Sequence, residues 1–181
     1  MKVYPACASQ QTTIELGLEL HRAFGLREED IVSVCETVSP SIKGAPWYDF
    51  AGPFGNQFQA QMSSRFCLAA ALLGRPMRSP ALTASDFADP EIHALAKRVT
   101  LVAEEGRGHY QPRIEVVVRS GARHVVDEDR LPHFVPTPEL VREKFTALAG
   151  PVLGAGPAAA IVDAVQRLDQ LASVRELARL L

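Results

Sequence analysis

Hydrophobic and polar positions in the first part of the chain predict a helix, a strand and a long loop. Apolar side chains recur among polar ones from Gln10 to Phe24, and Gly25 follows them, as at the C-terminal end of a helix. The run from Ile31 to Val38 is rich in β-branched residues and predicts a strand. Ser39 to Asn56 contains three prolines and three glycines, which predicts a loop.

The rest of the pattern adds one central helix and several shorter elements. Gln59 to Leu73 is mostly apolar and precedes Gly74, and the small side chains of Ala69, Ala70 and Ala71 leave room for a neighbour to approach closely. Further elements are predicted in this order: a helix from Asp89 to Lys97, strands from Val99 to Glu104, Arg113 to Arg119 and Arg123 to Glu128, a helix from Thr137 to Leu148, a break from Gly150 to Pro157, and helices from Ala158 to Leu171 and from Ser173 to Leu181. Helices and strands do not alternate regularly, so we expect an α+β fold in which a small antiparallel sheet packs with helices.

Aromatic residues are concentrated in and just after the predicted loop. Trp47, Tyr48, Phe50, Phe54 and Phe58 lie within twelve residues of one another. Aromatic side chains at this density need a surface to pack against. Two interpretations remain open: the segment forms a surface for a partner, or it folds back over the core of its own chain.

Size and charge limit the classes of function. The 181 residues are 47% apolar, which is enough for one domain over residues 1–181 with a single buried core. The net charge of −2 gives no basic footprint for nucleic acid or for an anionic membrane surface. An apolar stretch long enough to span a membrane and a basic, hydrophobic leader are both missing from the sequence, so we expect a soluble protein that does not act at a membrane.

Cysteine and histidine spacing argues against a metal or disulfide framework. Cys7, Cys35 and Cys67 are odd in number and form no CxxC pair, so a reducing, cytoplasmic environment is expected. The five histidines show no metal-ligand spacing, and the glycines near Gly154 do not form a phosphate-binding loop. The sequence therefore predicts no metal and no nucleotide cofactor.

Two motifs in the right order resemble a known family. The first runs from Lys2 to Cys7 (KVYPAC) and the second from Ala60 to Gly74 (AQMSSRFCLAAALLG). Together they resemble the C-terminal domain of the MmgE/PrpD family, which includes 2-methylcitrate dehydratase, cis-aconitate decarboxylase and iminodisuccinate epimerase. The resemblance continues over nearly the whole chain, through Asp89 to Ile92, Lys97 to Leu101 and Thr137 to Phe145.

The resemblance implies a lyase or isomerase that acts on a small di- or tricarboxylate without a metal or an organic cofactor. In this family a helical N-terminal domain supplies most catalytic groups, and nothing in this sequence corresponds to it. We therefore expect the chain to be inactive alone, with a helical-domain partner chain or a second copy of itself as partner. Four explanations for the missing helical domain remain open: a fragment, a truncated gene, one half of a split enzyme, or a misassigned start codon. A non-catalytic partner or dimerisation module is the second functional hypothesis.

Four residues in or near the two motifs are candidates for chemistry, and the resemblance itself singles out Lys2 and Phe66. Lys2 matches the lysine of the K-x-[YF]-P motif, which implies contact with a substrate carboxylate, whereas sequence statistics alone favour an exposed lysine on a frayed terminus. Arg65 is the second candidate for carboxylate binding, and a salt bridge at the surface is its alternative. Phe66 stands where dehydratase-like members place a tyrosine, so it indicates either altered chemistry or a core aromatic. Cys7 has a nucleophile-like position, but packing is the favoured interpretation because the family chemistry needs no covalent thiol intermediate.

Overall fold

The computed structural model describes residues 2–78, 86–127 and 136–181. Contacts between residues divide the chain into two compact units. The first unit holds the described residues from 2 to 127, and the second holds residues 136–181.

The first unit combines five α-helices and four strands among its described residues. The helices are α1 (Gln11–Phe24), α2 (Pro40–Lys43), α3 (Gln57–Met62), α4 (Ser64–Leu72) and α5 (Pro90–Ala96), and the strands are β1 (Ile31–Val38), β2 (Val99–Ala103), β3 (Arg113–Val118) and β4 (Arg123–Asp127). Short 3-10 turns cover Ala8–Gln10, Glu28–Asp30 and Asp86–Ala88. The predicted α+β class is confirmed, and β1 has the bounds that its β-branched run predicts.

The four strands form one mixed sheet in the order β2-β1-β3-β4. β1 pairs with β3 in antiparallel register, and β3 pairs with β4 in the same way, as the predicted hairpin requires. The prediction of a wholly antiparallel sheet is wrong at one pair, because β1 and β2 run parallel. Helices α2 to α5 lie between these two strands in the chain, and a connection of that length returns the backbone to the same end of the sheet.

The predicted central helix is present but is two helices. α3 ends at Met62 and α4 begins at Ser64, because Ser63 has an extended backbone (φ −83°, ψ 121°). The Ser63 hydroxyl accepts a hydrogen bond from the Phe66 amide (3.1 Å) and donates one to the Phe50 carbonyl (2.5 Å). α4 is buried over nearly its whole length, and Ala71, the last of the three small side chains, lies beside Gly17 of α1.

Predicted helix ends are confirmed on two helices. Gly25 follows α1 in the left-handed conformation (φ 58°), and its amide donates to the His21 carbonyl at 2.7 Å. Asp89 caps α5 by accepting from the Glu91 amide at 2.8 Å, and a proline occupies the first helical position.

The aromatic segment mostly folds back over its own core. The side chains of Tyr48 and Phe54 are buried, and Phe50 packs against the same core. Trp47 and Phe58 remain 54% and 66% exposed. The loop that holds these residues also contains a short helix, α2, which its proline and glycine content did not predict, since Pro40 fits the first turn of a helix as well as it fits a loop.

The second unit contains three helices among its described residues. They are α6 (Pro138–Leu153), α7 (Ala155–Gln166) and α8 (Arg175–Ala178), with a 3-10 turn at Leu168–Gln170. The helices extend into the predicted break from 150 to 157, and only Gly154 separates them. Gly154 has a φ of 88°, a conformation that glycine adopts easily. Pro157 lies in the first turn of α7, where backbone amides have no helical partner, so its missing N–H costs little. The last predicted helix is only four residues long.

Candidate functional site

The amino-terminal segment that carries Lys2 is fastened to α1 by one side chain. The Gln11 side-chain oxygen accepts hydrogen bonds from the amides of Val3 (2.8 Å) and Tyr4 (2.9 Å). Its side-chain nitrogen donates to the carbonyls of Tyr4 and Cys7, both at 3.2 Å. The backbone after Lys2 is therefore not a frayed terminus, although the Lys2 side chain itself is exposed.

Tyr4 strengthens this attachment from the side-chain end. Its ring is buried, and the Arg78 guanidinium lies over the ring, 6.0 Å from the centroid. Its hydroxyl donates a hydrogen bond to Glu15 on α1 at 2.5 Å. Burial, and then the neighbouring Glu15 carboxylate, raise the pKa of Tyr4 above its ordinary value. Tyr4 is therefore a neutral hydrogen-bond donor at physiological pH and anchors the segment.

Cys7 lies at the turn that leads into α1. Its sulfur is 3.3 Å from the Ser9 hydroxyl, and its amide donates to the Gln61 carbonyl at 3.4 Å. Cys7 is half-buried, and Ser9 is buried. These contacts suit the packing interpretation of Cys7.

Arg65, the second predicted carboxylate ligand, is engaged with groups of its own chain. Its Nε and Nη2 atoms bind Asp49 Oδ1 at 2.6 and 2.5 Å, and its Nη1 donates to the Val99 carbonyl at 2.5 Å. Lys43 also pairs with Asp49. The Arg65 side chain is 18% exposed, so the ion pair is largely shielded from solvent. It ties α4 to the aromatic loop, residues 39–56, and the hydrogen bond to Val99 ties α4 to β2.

A buried carboxyl group beside this ion pair escaped the sequence analysis. Glu36, on β1, is completely buried and accepts hydrogen bonds from the hydroxyls of Thr13 and Ser64, both at 2.7 Å. Burial raises its pKa, and these two hydrogen bonds and the charge of Arg65 partly oppose that rise. The signal was present in the sequence, because Glu36 lies between Val34 and Val38 at the inward positions of the strand.

Tyr48 and Cys67 belong to the same buried polar region. The Tyr48 hydroxyl donates to the Ser9 carbonyl at 3.2 Å, and the Cys67 thiol donates to Gln10 at 3.2 Å. Burial and the nearby Glu36 charge raise the pKa of both groups, so both stay protonated near neutral pH. These groups form a shielded network that joins the start of α1, the start of α4 and β1.

Phe66 is a core aromatic. Its side chain is 2% exposed, and its ring packs edge-on against Phe54 (5.1 Å between centroids) and His93 (6.4 Å). His93 is held by a 2.6 Å hydrogen bond between its Nε2 atom and the Phe87 carbonyl. This packing fits the interpretation of Phe66 as a core aromatic.

Within residues 2–78, 86–127 and 136–181, no group of three or more His, Cys, Asp or Glu side chains is placed to hold a metal ion. In the same part of the chain, no helix has both the length and the apolar character needed to cross a membrane.

Comparison with known proteins identifies the family. Residues 4–170 match the MmgE/PrpD C-terminal domain, so both motifs beyond Lys2 and Val3 lie inside the matched region. No curated protein matches the chain. The match covers well over half of the sequence, and the chain belongs to the MmgE/PrpD family, of which it contains the C-terminal domain.

Proposed function

We propose that this chain supplies the carboxylate-binding part of a cofactor-independent lyase or isomerase that acts on a small di- or tricarboxylate, as 2-methylcitrate dehydratase does. The observation that carries the proposal is the attachment of the Lys2 segment to α1 through Gln11 and Tyr4. A cation on an anchored segment loses less conformational entropy when it binds an anion than a cation on a mobile terminus does. The cytosol is the proposed compartment, on the number and spacing of the cysteines.

The chemistry of this substrate class calls for such a cation. A carbon next to a carboxylate is a weak acid, and negative charge develops beside the carboxylate as that carbon loses a proton or carbon dioxide. The Lys2 ammonium would neutralise the carboxylate and stabilise the enolate-like charge. The proton-abstracting base would come from a helical domain, in the same chain or in a partner chain. Dehydration, decarboxylation and epimerisation all share this demand.

Lys2 is the principal contact in this proposal, and Arg65 is the conditional one. Arg65 already forms a close ion pair with Asp49, so a substrate carboxylate would have to displace Asp49 to reach it. The Lys2 side chain is exposed, and the backbone that follows it is held to α1 by Gln11.

Binding of an unreactive tricarboxylate tests the contact without turnover. Calorimetric titration of the full chain with tricarballylate measures its affinity. Lys2→Met keeps the length of the side chain and removes its charge, and it should weaken binding by about tenfold or more, since hydrogen bonds to charged groups contribute roughly 1.5–3 kcal/mol. Lys97→Met makes the same change at an exposed lysine of another element and should leave affinity unchanged. Equal affinity for wild type and Lys2→Met would exclude Lys2 from the site.

A non-catalytic partner or dimerisation module is the second candidate. Trp47 and Phe58 are exposed, and an apolar groove of about 410 Å³ lies within the second unit, lined in part by Val141, Phe145 and Val165. Large exposed apolar areas commonly mark interaction surfaces. Supplying a helical domain distinguishes the two candidates: an enzyme should then turn over 2-methylcitrate or cis-aconitate, whereas a partner module should give only a complex or a homodimer by light scattering.

A further inference from the structure

We infer that Gln11 is the positioning residue for Lys2: its side-chain amide fixes the backbone from Val3 to Cys7 so that the lysine is presented for carboxylate binding. The inference rests on the proposed function of Lys2. It names a residue whose own side chain does not contact the substrate.

The geometry of the amide supports this role. Gln11 is 2% exposed and makes four hydrogen bonds, all of them to backbone groups of the segment that follows Lys2. A side-chain amide offers two donor hydrogens and two acceptor lone pairs, so this set uses its full capacity. The two amides that it accepts from, those of Val3 and Tyr4, are the first two after Lys2.

The same four bonds fix the direction of the segment as well as its distance from α1. The Gln11 carboxamide binds both the amide and the carbonyl of Tyr4, which restricts rotation of the two peptide planes on either side of the Tyr4 Cα atom. Pro5 follows, with a fixed φ that further limits the backbone. The Cα atom of Lys2 is therefore held by its neighbours even though its side chain is exposed.

An adjacent residue provides a matched control. Gln10 has the same side chain, is also buried, and comes immediately before α1. Its side chain donates to the Met62 carbonyl (2.6 Å) and accepts from the Cys67 thiol (3.2 Å), so it ties α1 to the α3–α4 junction. A variant of Gln10 therefore shows the effect of losing a buried glutamine alone, whereas a variant of Gln11 also loses the attachment of the Lys2 segment.

The test combines a double-mutant cycle with hydrogen exchange on the full chain. Gln11→Met should weaken tricarballylate binding by about threefold to tenfold. In the Lys2→Met background the same change should weaken binding by less than about twofold further. Gln11→Met should also speed hydrogen exchange at the Val3 and Tyr4 amides. Gln10→Met should leave the affinity and these two amides unchanged. If Gln11→Met does not fold, Gln11→Glu retains the shape and the acceptor oxygen and should bind with intermediate affinity.

Three outcomes overturn the inference, and they differ from failure of the proposed function. Weaker binding in Lys2→Met but not in Gln11→Met removes Gln11 and keeps Lys2. Equal weakening in Gln10→Met and Gln11→Met, or additive effects of Gln11→Met and Lys2→Met, makes Gln11 a residue of general stability. If wild type does not bind tricarballylate, the proposed function itself is refuted. Faster exchange of the Val3 and Tyr4 amides in Gln11→Met would then show that Gln11 only holds the segment in place, with no role in binding.

Discussion

Replacing Gly17 with alanine should destabilise the fold, although alanine is the better helix former. Gly17 lies in α1 where that helix meets α4. A Cβ atom at this position would lie 2.8 Å from the Ala71 Cβ and 3.1 Å from the Leu68 Cδ1. Carbon atoms pack best at roughly 3.5–4.0 Å. The helices would therefore have to separate, or Leu68 would have to change its conformation.

Two opposing contributions set the size of the effect. Gly17→Ala gains about 1 kcal/mol of helix propensity. Overpacking of a buried contact costs about 1–3 kcal/mol. The Ala71 methyl is attached directly to the backbone of α4 and cannot rotate away, so the upper part of that range applies. We expect a net loss of about 1–2 kcal/mol, which for a chain of this size lowers the melting temperature by about 2–8 °C.

Urea denaturation of the two single variants, Gly17→Ala and Ala71→Gly, and of the double variant measures the contact directly. Ala71→Gly removes the methyl that the new Cβ would meet, so the double variant should be more stable than the sum of the two single effects by about 1 kcal/mol or more. Greater stability in Gly17→Ala than in wild type, or strict additivity in the cycle, would refute the close approach of α1 and α4.

Two further substitutions test the buried site. Phe66→Tyr should cost about 1–3 kcal/mol of stability, because it places a hydroxyl in the apolar cluster with Phe54 and His93. With a helical domain supplied, it should bring no gain in turnover of a carboxylate substrate, and a faster enzyme would show that the hydroxyl is catalytic. Burial raises the pKa of Glu36 above its ordinary 4.5, so its contribution to stability is present below that value and is lost as pH rises through the folded-state pKa. Glu36→Gln cannot titrate at this position, so it should gain stability relative to wild type between acidic and neutral pH: its unfolding free energy minus that of wild type should increase. A difference that stays constant with pH would contradict the assigned burial cost.

Local sequence patterns were sufficient for elements whose ends are set by local chemistry. β1 follows from its β-branched run, and the end of α1 follows from Gly25. The break at Ser63 could not be predicted in this way, because its hydroxyl is held by the carbonyl of Phe50, thirteen residues earlier in the chain. A serine inside an apolar run has no local feature that distinguishes a helix cap from an ordinary helical position.

The candidate site was predictable in part, from the motif that contains Lys2. Arg65 was predicted as a possible carboxylate ligand, and the structure places Asp49, a carboxylate of its own chain, against it. That pairing depends on how the aromatic loop folds, and the sequence left the fold of that loop open. Glu36 was detectable from strand alternation alone, since a charged residue at an inward position of an apolar strand requires hydrogen-bond partners.

The start of α1 shows why the site lies outside what hydrophobic periodicity can predict. A polar run such as Gln10 to Thr13 normally indicates a solvated helix end, yet all four residues are buried. Gln10 binds the Met62 carbonyl, Gln11 binds the Lys2 segment, and Thr13 binds Glu36 on β1. Each of these partners is distant in sequence or belongs to the backbone, so no local pattern encodes it. Because Gln11 holds the Lys2 segment and Thr13, on the same turn, binds the buried carboxyl of the sheet, a shift of the backbone between these two residues should move both, and the position of Lys2 should depend on the contact between Thr13 and Glu36.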